Sequence, residues 1–465
     1  MRRIAGRVFV VGERPLTVVE VRPAALRVLQ RLRHDADVAL PTLRPAERRL
    51  LERLDGAGLV ALRPVADIQP AVTVVIPVRD RPSELAECLA SLLGLRHPRH
   101  LLDVVVVDDG STRPPAVPAE VRLLRLPRSV GPAGARNAGA RAARSEVLAF
   151  LDSDCVAEPG WLEAVLPELA DPEVAAVGGR ITAASERTWL ERYEAVRSPL
   201  DLGASRAAAG PGRRVPYLVT ANLVVRRADF EAAGGFDERL RWGEDVELCW
   251  RLHRAGRRLV YQPAGRVRHR HRGDVRAFAA TRASYARSEA DLLARHPEGG
   301  RWLAVSAGGA SLVLGGLGAL LGRPRLLAAG ALALAVETAA WAGGLAPMGV
   351  PRRRAFEALL RGQASGLYWL ARQATRYYGW PLAVAALSQR RTRWRLIGAL
   401  AGIWAAPAIA DWRRLRPRQS LPAFLAAQWL DDTAYQYGLL HGCWRARTLL
   451  PLRVRLRLTG GRASS

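Results

Sequence analysis

Two aspartates one residue apart, in Leu151-Asp152-Ser153-Asp154, follow directly on the apolar run Val147 to Leu151. A turn at a strand tip lets both carboxylates converge on one hard divalent cation. Mg²⁺ and Mn²⁺ take such oxygen ligands and bridge them to phosphates. His269 and His271, in Val267-Arg268-His269-Arg270-His271, point the same way if the segment is extended. An imidazole there would complete the metal site begun by Asp154; the plain alternative is a structural pair. Asp108 and Asp109, in Val106-Val107-Asp108-Asp109-Gly110-Ser111, end another apolar run. An exposed carboxylate at that tip can accept from a nucleobase N–H or a ribose hydroxyl, although Asp and Gly are also ordinary turn residues.

Three further constellations carry chemistry. Gly131-Pro132-Ala133-Gly134-Ala135-Arg136-Asn137-Ala138-Gly139 opens a helix with small residues. Such a start lets backbone approach a diphosphate, and a helix N-terminus favours anions. Arg136 adds a guanidinium fork to that reading, or is simply a helix surface arginine. Asn137 is one of the chain's two asparagines, Asn222 being the other, which argues that the Asn137 amide has work to do. Gly243-Glu244-Asp245 precedes a helix over Val246 to Ala255, where a carboxylate often only caps. The turn Gly234-Gly235-Phe236-Asp237 and Trp242 lie just before it, and Trp250 follows on the helix. GxSxG, GxxxxGK[ST] and HExxH are absent, and Gly131 to Gly139 does not match GxGxxG. Hydrolase, NTPase, zinc-protease and dinucleotide-dehydrogenase readings weaken accordingly.

The elements that position these groups alternate. Val72 to Ile76, Val104 to Val107, Val121 to Leu126 and Val147 to Leu151 read as continuous apolar strands. Leu85, Cys88, Leu89 and Leu92 have the spacing of one helix face, and Gly131 to Ala143 reads as another helix. The pattern predicts an α/β domain with a mixed, mostly parallel sheet covered on both faces, over residues 71–300. Ligands in such sheets bind at the carboxyl ends of the strands, where the motifs fall. Residues 1–66 read as a small module of helices with a strand or two. Leu26, Val28, Leu29 and Leu32 suit one helix, Leu50, Leu51 and Leu54 another, and Pro64 to Pro70 forms a linker. Residues 301–465 read as an apolar helical region. Leu303 to Gly322 is uncharged and Leu326 to Leu345 carries only Glu337, each long enough to span or embed in a bilayer. Leu396 to Ala410 reads as an interfacial or buried helix.

At 465 residues the chain has room for two or three domains. Its formal charge of +27 comes entirely from arginine, with no lysine. A skew away from Lys and Asn fits a GC-rich genome better than selection for phosphate binding, so no nucleic-acid partner is expected. A basic surface facing anionic lipid or a nucleotide diphosphate is expected instead. Cys88, Cys155, Cys249 and Cys443 form no CxxC pair, which points to a reducing compartment. Residues Met1 to Gly12 lack the apolar run of a signal peptide.

Taken in order from Val74-Val75-Ile76-Pro77 to His271, these motifs resemble the family 2 glycosyltransferases of the GT-A fold. The resemblance implies that Pro77, Asp108 or Asp109, Arg136, Asn137 and Asp152 face a nucleotide sugar. It implies that Asp154, Asp152, His269 and His271 hold Mn²⁺ or Mg²⁺, and that Asp245, with Glu244 as the alternative, is the base in an inverting displacement. Asn222, Trp242 and Trp250 are the acceptor-side candidates. Glu247-Leu248-Cys249-Trp250-Arg251 stands where processive members carry QxxRW, which weighs against a polymerising synthase. The three-part layout is similar to that of mycofactocin-biosynthesis glycosyltransferases, with residues 1–66 like small winged-helix peptide-binding modules. That resemblance implies transfer of glucose from UDP-glucose, through β-linkages, to a peptide-derived redox cofactor. Cell-wall rhamnosyl or galactofuranosyl transfer onto a glycan acceptor is the rival within the class, and a non-catalytic peptide-binding scaffold the rival outside it. Arg352 to Arg354 beside the second apolar run favour the cytoplasmic membrane with the active site on the cytoplasmic side.

Overall fold

The computed structural model describes residues 2–4, 7–13, 16–21, 28–30, 44–56, 60, 68–320, 322–348 and 350–459. Leu26 and Leu32 of the first expected helix, and residues 64–67 of the expected linker, lie outside them. The chain forms two compact units.

The larger unit comprises residues 63–299 and 415–451. Its sheet is built from β1 (Val72–Val78), β2 (Leu102–Asp108), β3 (Arg122–Arg125), β4 (Val147–Leu151), β5 (Cys155–Ala157), β6 (Val174–Ala183), β7 (Ala207–Ala209), β8 (Asn222–Arg226) and β9 (Arg258–His269). The helices are α1 (Pro82–Leu93), α2 (Pro132–Ala142), α3 (Trp161–Val165), α4 (Trp189–Arg197), α5 (Arg227–Ala232), α6 (Glu244–Arg254), α7 (Val275–Arg295) and α8 (Leu421–Arg445). Strand order is β7-β9-β6-β8-β4-β1-β2-β3, with β5 paired to β9. The first four strands run parallel, Val75 lying between Val105 and Phe150. β8 then enters antiparallel between β4 and β6, so the sheet is mixed. β6 and β9 are parallel, while β5 and β7 pair antiparallel to β9.

Both faces of the sheet are covered, because alternate residues of each strand face opposite ways. Val74 and Ile76 join Leu85, Leu89 and Trp161 in one core; Val75 joins Phe150, Phe230 and Leu248 in the other. Leu85, Cys88, Leu89 and Leu92 are the buried face of α1, as their spacing predicts. The layout expected from composition differs from the structure at its C-terminal end. α8 packs along α7 within the sheet-bearing unit instead of joining the apolar tail. The reason is local: Gly438 and Gly442 let the α8 backbone lie against the carbonyls of Ala283 and Arg287.

The second unit gathers residues 1–62, 300–414 and 452–465. Arg2–Ile4, Arg7–Glu13 and Leu16–Val21 form a three-stranded antiparallel sheet, one strand more than the sequence pattern predicts. Helix Pro45–Gly56 buries Leu50, Leu51 and Leu54. The first long apolar run is not one helix. Residues 301–306 form a strand parallel to Val454–Thr459, leaving a helix of 14 residues, Ala307–Leu320. At 1.5 Å per residue that helix is about 21 Å long, short of a bilayer core. Of the two runs expected to span or embed, one is a helix long and apolar enough to cross a bilayer among the described residues, Pro324–Leu345, 22 residues long and mostly exposed. The two helices form a close hairpin because Gly330 lies against the backbone of Ser311 and Gly315. Leu396 to Ala410 lies inside a longer helix, Arg393–Leu415.

Candidate active site

Because β1, β2 and β4 are parallel neighbours, their carboxyl ends deliver three loops to one edge of the sheet. Asp80 ties two of them together. Its backbone N–H donates to Ser111 Oγ at 2.9 Å, and its Oδ1 accepts from the Thr112 N–H at 2.8 Å. It does so at φ 51, a conformation that Asp tolerates.

The β2 tip holds two buried carboxylates instead of the exposed one expected. Asp109 accepts from Ser129 Oγ at 2.8 Å, Val130 N at 2.7 Å and Gly131 N at 3.1 Å. It thereby fixes the turn that launches α2. Asp108 is fully buried, accepts from Ser111 N at 2.9 Å, and lies 3.5 Å from Arg125 Nε. Its Oδ2 has no hydrogen-bond partner. Pro77 is the penultimate residue of β1, opposite Val107.

At the β4 tip, Asp154 is buried and ringed by cations. Arg81 Nη1 lies 2.5 Å and Arg272 Nη2 3.4 Å from its Oδ2, while His269 Nε2 faces Oδ1 at 3.5 Å. Burial alone would raise its pKa, but His269, Arg81 and Arg272 outweigh that, holding the carboxyl below its ordinary value. Burial lowers His269, so its imidazole is neutral at pH 7 and free to be a ligand. Donor atoms of Asp154, Cys155 and His269 all lie within 4.8 Å of one another. Cys155 is held well above its ordinary pKa by burial and stays a thiol, a poor ligand for a hard ion. The Asp154 oxygen and His269 nitrogen that remain fit Mn²⁺ or Mg²⁺. His271 stands behind His269: its Nδ1 lies 3.3 Å from His269 Nδ1 and 2.9 Å from Glu194 Oε2. The ligand role expected of it does not match that placement.

Arg136 spans the site. Its Nη2 donates to Asp152 Oδ1 at 2.6 Å and its Nη1 to Glu244 Oε1 at 2.7 Å. The guanidinium is buried, so it ties the DxD turn to the start of α6 before any diphosphate arrives. Asn137 does not face a nucleotide. It donates to Phe236 O and Glu238 Oε1, both at 2.9 Å, and accepts from Phe236 N at 2.9 Å, pinning the Gly234-Gly235 turn.

Gly243 enters α6 at φ +83, and a Cβ there would lie 2.8 Å from Leu292 of α7, so glycine is required. Asp245 follows, accepting from Val246 N at 2.8 Å and from the Thr220 backbone. Burial first, and Glu244 second, push its pKa up to about 7. Burial, and then the charge of Asp245, raise the phenol pKa of Tyr217. Tyr285 is raised chiefly by burial and meets the exposed ring of Trp242 edge-on at 5.3 Å.

Two acceptor-side expectations are corrected. Asn222 is fully buried; its Oδ1 accepts from Trp161 Nε1 at 2.7 Å and its Nδ2 donates to Gly265 O at 3.0 Å, bracing the sheet. Trp250 belongs to the core, its Nε1 donating to Pro216 O at 3.1 Å. Sequence reasoning missed Arg81, Arg272, Tyr217 and Tyr285. The arginines carry no signal in a chain with 70 basic residues, and the tyrosines lie outside any motif.

Residues 73–234 match the Glycosyl transferase family 2 model. The chain is 38% identical over 408 residues to the pre-mycofactocin glycosyltransferase of Mycobacterium tuberculosis, covering 83% of this chain and 82% of that one. It is 29% identical over 202 residues to glycosyltransferase AglE of Haloferax volcanii, covering 41% of this chain and 64% of that one. A solved mannosyltransferase from Pyrobaculum calidifontis, in complex with GDP-Man and Mn²⁺, aligns with TM-score 0.40 and 19% identity over 82% of this chain and 98% of that one. With more than a third of its residues shared along four-fifths of both proteins, the chain is a family 2 glycosyltransferase and belongs with the pre-mycofactocin glycosyltransferases.

Proposed function

We propose that this enzyme transfers a hexose, glucose from UDP-glucose, with inversion of the anomeric centre, onto pre-mycofactocin or a closely related peptide-derived acceptor. The acceptor reading rests on the 38% identity to a protein of that name. Asp245 is the base: a carboxylate with a pKa near 7 is half unprotonated where it must work, and it sits beside the Tyr217, Tyr285 and Trp242 aromatic groups. It takes the proton of the attacking hydroxyl, and a single base on that side yields inversion. Arg136 holds Asp152 and Glu244 in place across the site. Asp108 or Asp109 contacts the nucleoside after local rearrangement of the β2 tip. Asp154, His269 and Asp152 would hold Mn²⁺ or Mg²⁺, which when bound neutralises charge on the departing diphosphate. The N-terminal module binds the peptide portion of the acceptor, and the chain works at the cytoplasmic membrane with its site on the cytoplasmic side. The exposed apolar helix Pro324–Leu345 supports membrane association.

The observation that carries the mechanism is the Arg136 bridge from Asp152 of the DxD turn to Glu244 beside Asp245, with Asp154 held below and Asp245 pushed above the ordinary carboxylate pKa. The test is a donor and acceptor panel with purified full chain. Release of UDP from UDP-glucose with a β-linked product on the peptide-derived acceptor is expected. Preferential turnover of a rhamnose or galactofuranose donor on a glycan would overturn the assignment.

A further inference from the structure

Helix α8 buries Asp431 and Asp432 along with Phe424 and Leu439 and turns large aromatic side chains outward. Gln428, Asp431, Asp432 and Gln436 are 0%, 3%, 3% and 4% exposed, while Trp429, Tyr437 and Trp444 are 60%, 54% and 77% exposed. From Leu421 to Trp444 both charged residues, Asp431 and Asp432, are buried, and no exposed residue is charged. The buried charge is met by its neighbours: Asp431 accepts from Tyr193 Oη at 2.9 Å and lies 3.2 Å from Arg282 Nε. A helix facing water shows the reverse pattern, polar side out.

The outward side has chemistry of its own. Tyr437, His441 and Trp444 stack along it with ring centroids 6.1 and 6.0 Å apart. Each ring joins an apolar body to a polar tip, the combination favoured where one end is dry and the other wet. Exposed arginines mark both ends of the helix: Arg416 and Arg418 precede it, Arg445, which pairs with Asp291, is its last residue, and Arg447 follows. Polar groups turned inward, small residues at the helix contact and aromatic residues turned outward are how helices meet lipid. Cations at the ends select an anionic surface.

We propose that the outer face of α8 lies on an anionic bilayer, seating the catalytic unit against the membrane through Trp429, Tyr437 and Trp444 with the flanking arginines on lipid phosphates. At 25 residues, the helix would present a strip about 37 Å long. The proposal deepens the membrane reading above and rests on it. It differs in placing a lipid contact on the catalytic unit itself, independent of Pro324–Leu345.

The test uses the full chain with Ala426→Cys, an exposed position on this face, carrying a polarity-sensitive maleimide dye; the native cysteines are buried. A second label at exposed Glu120→Cys serves as the reference. Vesicles containing phosphatidylglycerol should blue-shift the Ala426→Cys label and leave the Glu120→Cys label unchanged, with a weaker shift on pure phosphatidylcholine. Trp429→Gln combined with Trp444→Gln should reduce the shift severalfold while the melting temperature holds, since both side chains are exposed. If the chain floats with vesicles and the label stays in water, this face is not a membrane contact, although the broader reading survives. If the chain does not float at all, both fail. A blue shift that grows with protein concentration in the absence of vesicles would assign the face to a second copy of the chain and overturn the proposal.

Discussion

Asp154 and Asp245 share a side chain and a site, yet their surroundings push them apart. Burial opposes ionisation of Asp154, but His269, Arg81 and Arg272 together outweigh it and hold the carboxyl below its ordinary pKa. Asp245 has burial and the adjacent Glu244 against it, with Arg136 a weaker counterweight, and rises to about 7. Divergent pKa values in neighbouring carboxylates mark divergent roles. A carboxylate held below its ordinary pKa suits cation and phosphate chemistry; one poised near neutrality suits proton transfer. Arg136 touches both halves, so the two environments are mechanically joined.

The sharpest way to break this contrast is to remove its ionised half. Asp154→Ala should lower kcat about 10⁴-fold, because loss of a metal-centred charge term forfeits several kcal/mol, at about 1.4 kcal/mol per tenfold. The fold should persist, and EDTA should abolish wild-type turnover. Full activity in EDTA would dismantle the metal half of the comparison. Asp245→Asn comes next, with kcat down about 10²–10⁴-fold and UDP affinity retained in calorimetry. Should Glu244→Gln be the inactive variant instead, the two acidic residues exchange roles.

The pH profile sharpens the same contrast. Only unprotonated Asp245 accepts a proton, so its raised pKa puts the active form above about 7. kcat/KM should be flat at higher pH and fall about tenfold per unit below that value. Glu244→Gln removes a like charge that raises Asp245, so the acid limb should move to lower pH. A limb that stays put in this variant would mean that Asp245 is not the group observed.

Much of this site could be read from residue pattern, and the misses have physical causes. The apolar runs at Val72, Val104 and Val147 became β1, β2 and β4 because fully buried parallel strands need continuous apolar sequence. The DxD turn followed from the end of β4. The antiparallel entry of β8 was not legible, since strand order is decided by tertiary pairing. Asn137 shows the limit of rarity as a signal: its amide does have a job, but the job is to pin the Gly234-Gly235 turn through Phe236 and Glu238. The place of α8 was also hidden. Its apolar composition resembles the tail, and what assigns it to the catalytic unit is tertiary: the Gly438 and Gly442 contacts with α7 and the Asp431 bonds to Tyr193 and Arg282.

The smallest expected effect separates the two tryptophans that flank Asp245 in sequence. Trp242 is 41% exposed and rests edge-on against Tyr285. Trp250 is buried, with its N–H on the Pro216 carbonyl and its ring edge-on to His296 at 5.6 Å. Trp242→Ala should therefore raise the acceptor KM about tenfold, the worth of one aromatic contact of about 1.4 kcal/mol. Donor KM and melting temperature should not change. Trp250→Phe should do the opposite, leaving both KM values alone while costing about 1–3 kcal/mol of stability through the orphaned carbonyl. Denaturant melts and two-substrate kinetics on the same preparations distinguish these outcomes. If Trp242→Ala destabilises the fold and leaves acceptor KM untouched, the aromatic groups beside Asp245 are packing rather than an acceptor surface, and the base loses its nearest supporting observation.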